Sequence, residues 1–327
     1  MENIFETKFA GLTLKNPIII ASSGLTNSVK KNKELEKAGA GAIVLTSLFE
    51  EHIELQGELK GEISTKICPD ALLCKYLKEC LKTDEYLDLI RESKKQCSIP
   101  IIASINCLRE GVWVEFVREI EKAGADAIEL NIFALNTEED EEFDSLVNEY
   151  KRITSRMKEL VKIPVIVKMS KYFSHIPKLS AELKSAGADG IVLFNRFCQP
   201  DIDINKLQIN SGFVFSSHAE IADAIRWTSI VCGKYPDISI AACTGIHEWD
   251  DVVKCMLSGA QAVEICSAVY QHGNEVIPAT LRGIEDWMNS LNFKDVQSFI
   301  GKLKFGMNDN PSRFERIQFM KYFSNRD

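Results

Sequence analysis

Three asparagines and one lysine stand near the ends of four successive predicted strands: Asn106, Asn131, Lys168 and Asn195. Side chains in a strand alternate between two faces, so the apolar neighbours mark the outward face and these four residues point inward. Buried amides and a buried ammonium are costly unless each finds a polar partner. The set suits a flat heterocycle with alternating hydrogen-bond donors and acceptors, such as a flavin or a pyrimidine.

The same alternation places other residues on the inward face, namely Ile102, Ser104, Glu129, Ile166, Ser170 and Leu193. Taken singly, a strand-end asparagine is commonly a turn residue and a strand-end lysine is commonly solvated. A Schiff-base role is the main competing interpretation of Lys168, but it requires apolar or cationic neighbours that lower the lysine pKa. Amides do not obviously supply that environment, and four polar residues at one depth favour a binding site.

A small-residue turn with glycine recurs four times where a helix ends and a strand begins. These turns and their strands occupy residues 38–45, 123–130, 186–193 and 258–265. Between them, a proline precedes each of four apolar runs, at Pro17, Pro100, Pro164 and Pro236. Glycine suits the left-handed residue that closes a helix, and proline suits the entry to a strand. Eight such strands predict the α/β class and a (β/α)₈ TIM barrel, whose reactive residues lie at the C-terminal strand ends.

We place the eight strands near residues 17–22, 42–47, 100–106, 127–133, 164–170, 190–196, 238–244 and 262–267. A hairpin over residues 7–14 is expected to cover the barrel bottom. Long loops after the second and sixth strands, residues 49–70 and 196–217, are expected on the face that carries the site. We interpret residues 1–327 as a single domain, with a core over 15–291 and a tail over 305–327 containing a short helix.

Composition and charge narrow the function classes. The chain has 45% hydrophobic and 26% charged residues, as soluble globular proteins do, and its net charge of −8 argues against nonspecific nucleic-acid binding. It contains neither a signal-peptide core nor an apolar run near the roughly 20 residues that span a bilayer. Its ten cysteines include no Cys-x-x-Cys pair, which predicts reduced thiols, no metal site and a cytoplasmic location.

The last two strands end in small polar residues. Thr244 and Gly245 follow the seventh strand, and Cys266 and Ser267 follow the eighth. In many barrels the loops after these strands bind phosphate, where glycine admits an anion to the backbone and hydroxyls donate hydrogen bonds. A phosphate on one side of the mouth and a heterocycle across it is the arrangement that FMN requires. Lys168 is then placed to neutralise charge at N1 of the reduced flavin.

Seven sequence signatures carry a resemblance to a known family. They are Leu14-Lys15-Asn16-Pro17-Ile18, Ala21-Ser22, Glu129-Leu130-Asn131, Val167-Lys168, Asn195, Thr244-Gly245-Ile246 and the closing run over residues 259–273. From Leu12 to about Lys304 the chain resembles the dihydroorotate dehydrogenases, the FMN barrels of pyrimidine synthesis. The resemblance implies oxidation of dihydroorotate to orotate in de novo pyrimidine biosynthesis, by a cytoplasmic homodimer.

The resemblance also implies roles for individual residues. The residues expected to contact FMN are Ala21, Ser22, Ser47, Asn106, Asn131, Lys168, Thr244, Gly245, Cys266 and Ser267. The residues expected to bind the pyrimidine substrate are Asn131, Asn136 and Asn195.

The chain departs from the family at the catalytic base. The soluble branch has Asn-x-Ser-Cys-Pro-Asn after the fourth strand, where the cysteine takes the C5 proton while the C6 hydride goes to flavin N5. Here the run from Asn131 to Asn136 places Ala134 at the base position, and a methyl group cannot accept a proton. The candidates for a replacement base are Cys107, Thr137, Ser170 and Cys198.

Three further departures affect the substrate side. The family's Thr-Lys-Ser becomes Leu45-Thr46-Ser47, the glycine-rich loop after the sixth strand keeps only Gly212, and residues 49–52 lack the family's substrate-binding asparagine. Arg196 is a candidate to bind the substrate carboxylate, with pairing to Asp201 or Asp203 as the alternative. Two other functions stay open: a flavin enzyme acting on another dihydropyrimidine or a conjugated carbonyl, and a catalytically silent FMN-binding protein.

Overall fold

The computed structural model describes residues 3–53, 82–108, 111, 114, 116–133, 142, 144–306 and 309–323. The strands, in chain order, are β1 (Thr7–Phe9), β2 (Leu12–Leu14), β3 (Ile18–Ile20), β4 (Ala42–Val44), β5 (Leu48–Phe49), β6 (Ile101–Cys107), β7 (Ala127–Ile132), β8 (Val165–Ser170), β9 (Gly190–Asn195), β10 (Pro200–Asp203), β11 (Gln208–Ser211), β12 (Ile240–Cys243) and β13 (Ala262–Ile265). The helices are α1 (Val29–Ala38), α2 (Thr83–Gln96), α3 (Val117–Ala123), α4 (Ser145–Leu160), α5 (Ile176–Ser185), α6 (Ile221–Lys234), α7 (Trp249–Ser258), α8 (Ser267–His272), α9 (Val276–Ser290) and α10 (Pro311–Phe323).

Eight parallel strands close into a barrel. Their order around it is β4, β3, β13, β12, β9, β8, β7 and β6, and pairing of β4 with β6 completes the circle. The short strand β5 continues from β4 and also pairs with β6. The (β/α)₈ prediction is therefore confirmed, and all eight strand positions agree with the sequence interpretation to within a few residues.

Helices end where the small-residue turns predict. Gly39 closes α1 in the left-handed region at φ 114°, and its N–H bonds back to the carbonyls of Leu35 and Glu36. Positive φ recurs at the other three turns, at Gly124, Gly187 and Gly259. A barrel strand follows directly after each turn, so the glycine turns in the sequence mark where these strands begin.

The N-terminal hairpin β1–β2 plugs one end of the barrel. Phe9, Ala10 and Leu14 are buried and pack with the inward residues of the strands, among them Ile19 and Ile166. A second apolar layer lies between the strands and the helices. With the lower interior filled by hydrocarbon, the polar inward residues are confined to the C-terminal half, where parallel barrels carry their sites.

One inward assignment was wrong. The sequence predicted that Leu193 of β9 points inward, whereas Val192 packs with the inner cluster and Leu193 packs with the outer one. A register shift between β8 and β9 explains the difference: Met169 pairs with Leu193, but the next residue, Ser170, pairs with Asn195. The extra residue in β9 returns Asn195 to the inward face.

The loop after β9 and the tail add further elements to the barrel. The loop after β9 contains the antiparallel hairpin β10–β11, whereas most of the loop after β4, residues 54–81, lies outside the described residues. The tail forms α10, a longer helix than predicted, which Glu315 ties to Arg226 of α6 at 2.8 Å. Within the described ranges, no helix has the length and apolarity to cross a membrane and no cluster of metal-ligating residues occurs.

Candidate functional site

A cavity of about 200 Å³ opens at the C-terminal mouth of the barrel. Its wall contains seven of the predicted cofactor residues, namely Ala21, Ser22, Lys168, Thr244, Gly245, Cys266 and Ser267. The predicted substrate residues Asn195 and Arg196 also line it. Residues from β3, β8, β9, β12 and β13 therefore meet around one space, as expected for side chains at strand ends.

A buried group of charges lies in the wall of this cavity. Lys168 Nζ lies 2.6 Å from Glu264 Oε2 and 3.4 Å from Glu129 Oε1. All three side chains are at least nine-tenths buried. Since β7, β8 and β13 each contribute one residue, the ammonium is held across the barrel interior by carboxyl groups from two other strands.

The surroundings shift the pKa values of two of these groups. Burial, reinforced by the charge of Glu264, raises the pKa of Glu129 well above its usual range. Burial alone would lower the pKa of Lys168, but the adjacent carboxyl groups outweigh it and raise that pKa. Lys168 therefore remains an ammonium, whereas a Schiff-base lysine needs a lowered pKa. This environment opposes the Schiff-base interpretation of Lys168.

The predicted asparagines lie together beside this charge group. Asn195 Nδ2 donates to Asn131 Oδ1 at 2.7 Å. Asn131 is the register partner of Lys168 on one side and of Asn106 on the other. The four polar residues recognised first in the sequence thus occupy neighbouring positions around the mouth.

A chain of hydrogen-bonded hydroxyl groups includes Ser22, which lines the cavity. The Ser22 Oγ is 3.0 Å from the Ser47 Oγ, which is 2.8 Å from the Ser104 Oγ. Ser104 is fixed in turn by Tyr86, whose hydroxyl accepts from the Ser104 N–H and donates to its carbonyl. Ser47 is not among the residues that line the cavity, but through this chain it contacts Ser22, which does line it.

The turn after β12 approaches the start of α6. Gly245 has φ 81°, and a Cβ atom there would lie 2.2 Å from the backbone nitrogen of Ile221. The immediate reason for glycine is therefore close packing against the helix, in addition to the anion access suggested by the sequence. On the same side, Ser267 Oγ accepts from the Ser216 N–H at 3.0 Å, and Thr244 Oγ1 donates to the Phe194 carbonyl.

The donor set fits FMN. Hydroxyl and backbone groups of the turns after β12 and β13 suit a phosphate, while the amides and the ammonium suit the polar edge of an isoalloxazine ring. Among the described residues, the asparagine pair leaves Asn131 Nδ2 and Asn195 Oδ1 unbonded by protein, one donor and one acceptor group for a planar ligand.

Arg196 is engaged by the protein on three sides. Its Nε donates to Glu220 Oε1 at 2.9 Å, and its two terminal nitrogens donate to the carbonyls of Phe213 and Val214. The predicted alternative partners were Asp201 and Asp203, and the observed acidic partner is Glu220 instead. The guanidinium therefore ties the loop after β9 to the start of α6, at the edge of the cavity.

A second polar cluster lies behind the cavity. The buried His247 Nε2 is 3.1 Å from Ser216 Oγ, and Ser216 lines the cavity. The His218 ring lies 4.9 Å from that of His247, and its Nδ1 is 2.9 Å from Asp251 Oδ2. Burial, with the charge of His218, lowers the pKa of His247. His247 therefore stays neutral near neutral pH, as a partner for the Ser216 hydroxyl.

The structure describes only some of the candidates for the catalytic base. Ala134, Asn136 and Thr137 lie outside the described residues. Among the other candidates, Cys107 is buried, which raises its thiol pKa, and the Ser170 Oγ accepts from the Tyr172 N–H.

The remaining candidate base, Cys198, is exposed, with its Sγ 3.5 Å from Ser211 Oγ at the hairpin.

Beside the mouth, Phe133 stacks on Phe197 with ring centroids 4.1 Å apart, and Tyr172 meets Phe197 edge-on. An aromatic wall therefore stands next to the asparagine pair.

Sequence reasoning missed Glu264, Ser216 and His247. The alternation in β13 was a usable signal for Glu264, since its neighbours Val263 and Ile265 pack outward and leave it facing Lys168. No local pattern marks Ser216 or His247, because their contact depends on how the loop after β9 returns to α6.

Comparisons with known proteins identify the family of the chain. The sequence profile of the family described as dihydroorotate dehydrogenase matches residues 4–288. A protein of Endomicrobium trichonymphae named dihydroorotate dehydrogenase B (NAD(+)), catalytic subunit, is 28% identical over 301 residues, covering 90% of this chain and 95% of that protein. Proteins of the same name from Methanocella arvoryzae and Pyrococcus furiosus are also 28% identical, covering 87% and 89% of this chain and 93% and 96% of theirs.

Proposed function

Because the chain belongs to the dihydroorotate dehydrogenase family, we propose that it is an FMN-dependent oxidoreductase that oxidises dihydroorotate to orotate in pyrimidine biosynthesis. The observation that carries the proposal is the cavity at the barrel mouth, where seven predicted cofactor residues converge beside the asparagine pair. We further propose that the protein acts in the cytoplasm as a homodimer, which light scattering of the purified protein would test.

Different residues on the two sides of the mouth would bind the phosphate and the ring of FMN. Ser267 and the backbone of Thr244 and Gly245 would hold the phosphate, while Lys168 and Asn131 would hold the ring. When bound, FMN would supply the hydride acceptor. The asparagine pair would orient the pyrimidine ring, since each amide holds the other in place.

Proton removal requires a group other than Ala134. A base must lie within hydrogen-bond reach of the proton that it takes. Thr137 stays a candidate outside the described residues, whereas the thiol of Cys107 is disfavoured by its raised pKa. Glu264 is the ionisable carboxyl group that lines the cavity among the described residues, but it is already paired with Lys168 at 2.6 Å.

Anaerobic mixing of the FMN-loaded protein with dihydroorotate tests the proposal. Loss of the visible flavin absorbance, with formation of orotate, is the expected result. Flavin that stays oxidised under these conditions would reject dihydroorotate as the substrate. Asn131→Ala is the matched variant, because it removes a ring-binding amide and should slow the reaction without changing the barrel core.

A second function is favoured by one observation. Arg196, the candidate carboxylate ligand, is already bonded to Glu220 and to two backbone carbonyls. This arrangement favours a flavin oxidoreductase acting on a dihydropyrimidine or conjugated carbonyl without a carboxylate. Reduction of the bound flavin by dihydrouracil, with none by dihydroorotate, would select this function.

A further inference from the structure

The ion pair between Lys168 and Glu264 faces the mouth cavity. Both residues line the cavity wall, and their charged atoms are 2.6 Å apart. The two side chains are 7% and 1% exposed, so little water screens the pair. Any ring that fills the cavity therefore lies against the ammonium and its counter-charge together.

The third member of the group, Glu129, lies farther from the ammonium than Glu264 does. Glu129 Oε1 is 3.4 Å from Lys168 Nζ, and its other oxygen has no hydrogen-bond partner within the described residues. Burial raises the pKa of this carboxyl group well above its usual range. The close partner of the ammonium is therefore Glu264 at 2.6 Å, and Glu129 is the more distant one at 3.4 Å.

We propose that Glu264 cancels the charge of Lys168 towards the ring in the cavity and so disfavours the reduced, anionic form of bound FMN. This inference rests on the proposed FMN site. A free ammonium stabilises a neighbouring anion, whereas a tight ion pair has a much weaker field. Lys168 alone would favour the reduced flavin, and Glu264 opposes that effect.

A purely structural role for Glu264 makes a different prediction. A buried lysine needs a counter-ion, so removing the carboxylate would destabilise the fold whatever the cavity holds. Such a role would leave the reduction potential of bound FMN unchanged. The potential therefore separates the two explanations, and it does not depend on the identity of the substrate.

The experiment compares the midpoint potentials of FMN-loaded wild type, Glu264→Gln and Glu129→Gln. Glu264→Gln is expected to bind reduced relative to oxidised FMN at least tenfold better, which for a two-electron couple raises the potential by about 30 mV. Glu129→Gln is the matched control, because this carboxyl group lies farther from the ammonium and burial, which raises its pKa, favours its neutral form, so the variant is expected to change the potential less. Sulfite, which adds to oxidised flavin as an anion, should bind at least tenfold tighter to Glu264→Gln.

Two further variants keep the test decisive where Glu264→Gln folds poorly. Lys168→Gln leaves Glu264 unopposed and should lower the potential, and the double variant Lys168→Gln/Glu264→Gln should return it close to the wild-type value. Equal potentials in wild type and Glu264→Gln, or a double variant as low as Lys168→Gln, would overturn the inference. Dihydroorotate that fails to reduce FMN in every variant rejects the proposed substrate but leaves these comparisons intact. A protein that takes up no FMN overturns both.

Discussion

Asn195 Nδ2 donates to Asn131 Oδ1 at 2.7 Å, although the strands that carry these residues are not neighbours. β8 lies between them, so at the mouth of the barrel the hydrogen bond connects two strands across an intervening third strand. The register shift after Met169 makes this possible, because it turns Asn195 inward opposite Ser170. The two amides thus hold each other in place, which lowers the entropy cost of binding a planar ring.

We expect Asn195→Ala to weaken orotate binding about five- to tenfold. The substitution removes one ligand contact and releases Asn131, and a net hydrogen bond contributes about 1 kcal/mol. Calorimetric titration of FMN-loaded protein with orotate measures the effect. Asn210→Ala, on the exposed strand β11, is the control and should bind orotate as wild type does. Equal affinities for both variants would remove the asparagine pair from the substrate site.

Arg196→Ala is expected to weaken orotate binding at least tenfold. Arg196 holds the carbonyls of Phe213 and Val214 next to the cavity, and a guanidinium can also grip a carboxylate. Comparing orotate with uracil separates these roles, since loop displacement weakens both ligands and loss of a carboxylate contact weakens orotate alone. Arg226→Ala, whose partners are Asp223 and Glu315, is the control. An unchanged orotate affinity would rule out Arg196 as a substrate residue.

His247 makes the stability of the folded protein depend on pH. Burial, with the charge of His218, lowers its pKa below 6.5 in the folded state, while Asp251 partly opposes the shift. Below pH 6.5 the unfolded chain therefore binds a proton that the folded chain does not bind until a lower pH. Stability falls as the pH drops through this window, by up to about 1.4 kcal/mol per pH unit.

His247→Gln should remove that loss. The free energy of unfolding, measured by urea denaturation from pH 7 to pH 5, is expected to decline less steeply in the variant than in the wild type. His175→Gln alters an exposed histidine at the start of α5 and serves as the control. Parallel curves for wild type and His247→Gln would show that the buried ring does not set this dependence.

Most of the barrel could be predicted from the sequence because the residues that end its helices and begin its strands act locally. The turn at Gly39 fixes where α1 ends and β4 begins, and the same relation holds at Gly259 before β13. Strand alternation then located Lys168 and Asn131 correctly, since both lie before any irregularity in their strands. Local rules were sufficient wherever the element itself was regular.

The remaining features depend on contacts between distant residues. Leu193 was placed on the wrong face because a register shift between two strands leaves no mark in either sequence. Glu264 lies 96 residues from Lys168, so their ion pair required the closed barrel. The partner of Arg196 was missed for the same reason, since Glu220 reaches it only when the loop after β9 folds back onto α6.

Gly245 and Gly11 provide a matched pair for the last prediction. Both have φ 81°, but a Cβ at Gly245 would lie 2.2 Å from the Ile221 backbone nitrogen, whereas at Gly11 it would meet nothing within 4 Å. Alanine at either position carries the strain of a left-handed residue, about 1–2 kcal/mol. Only Gly245→Ala adds overpacking against a helix, which costs about 1–3 kcal/mol more.

We therefore expect Gly245→Ala to lower the urea midpoint clearly more than Gly11→Ala does. It should also weaken FMN binding, measured by quenching of flavin fluorescence, because displacement of α6 moves the turn that follows β12. Gly11→Ala should retain wild-type affinity for FMN, since β1–β2 lies at the opposite end of the barrel. Equal losses of stability in the two variants would mean that the approach of α6 to Gly245 imposes no cost, and that backbone conformation alone selects glycine there.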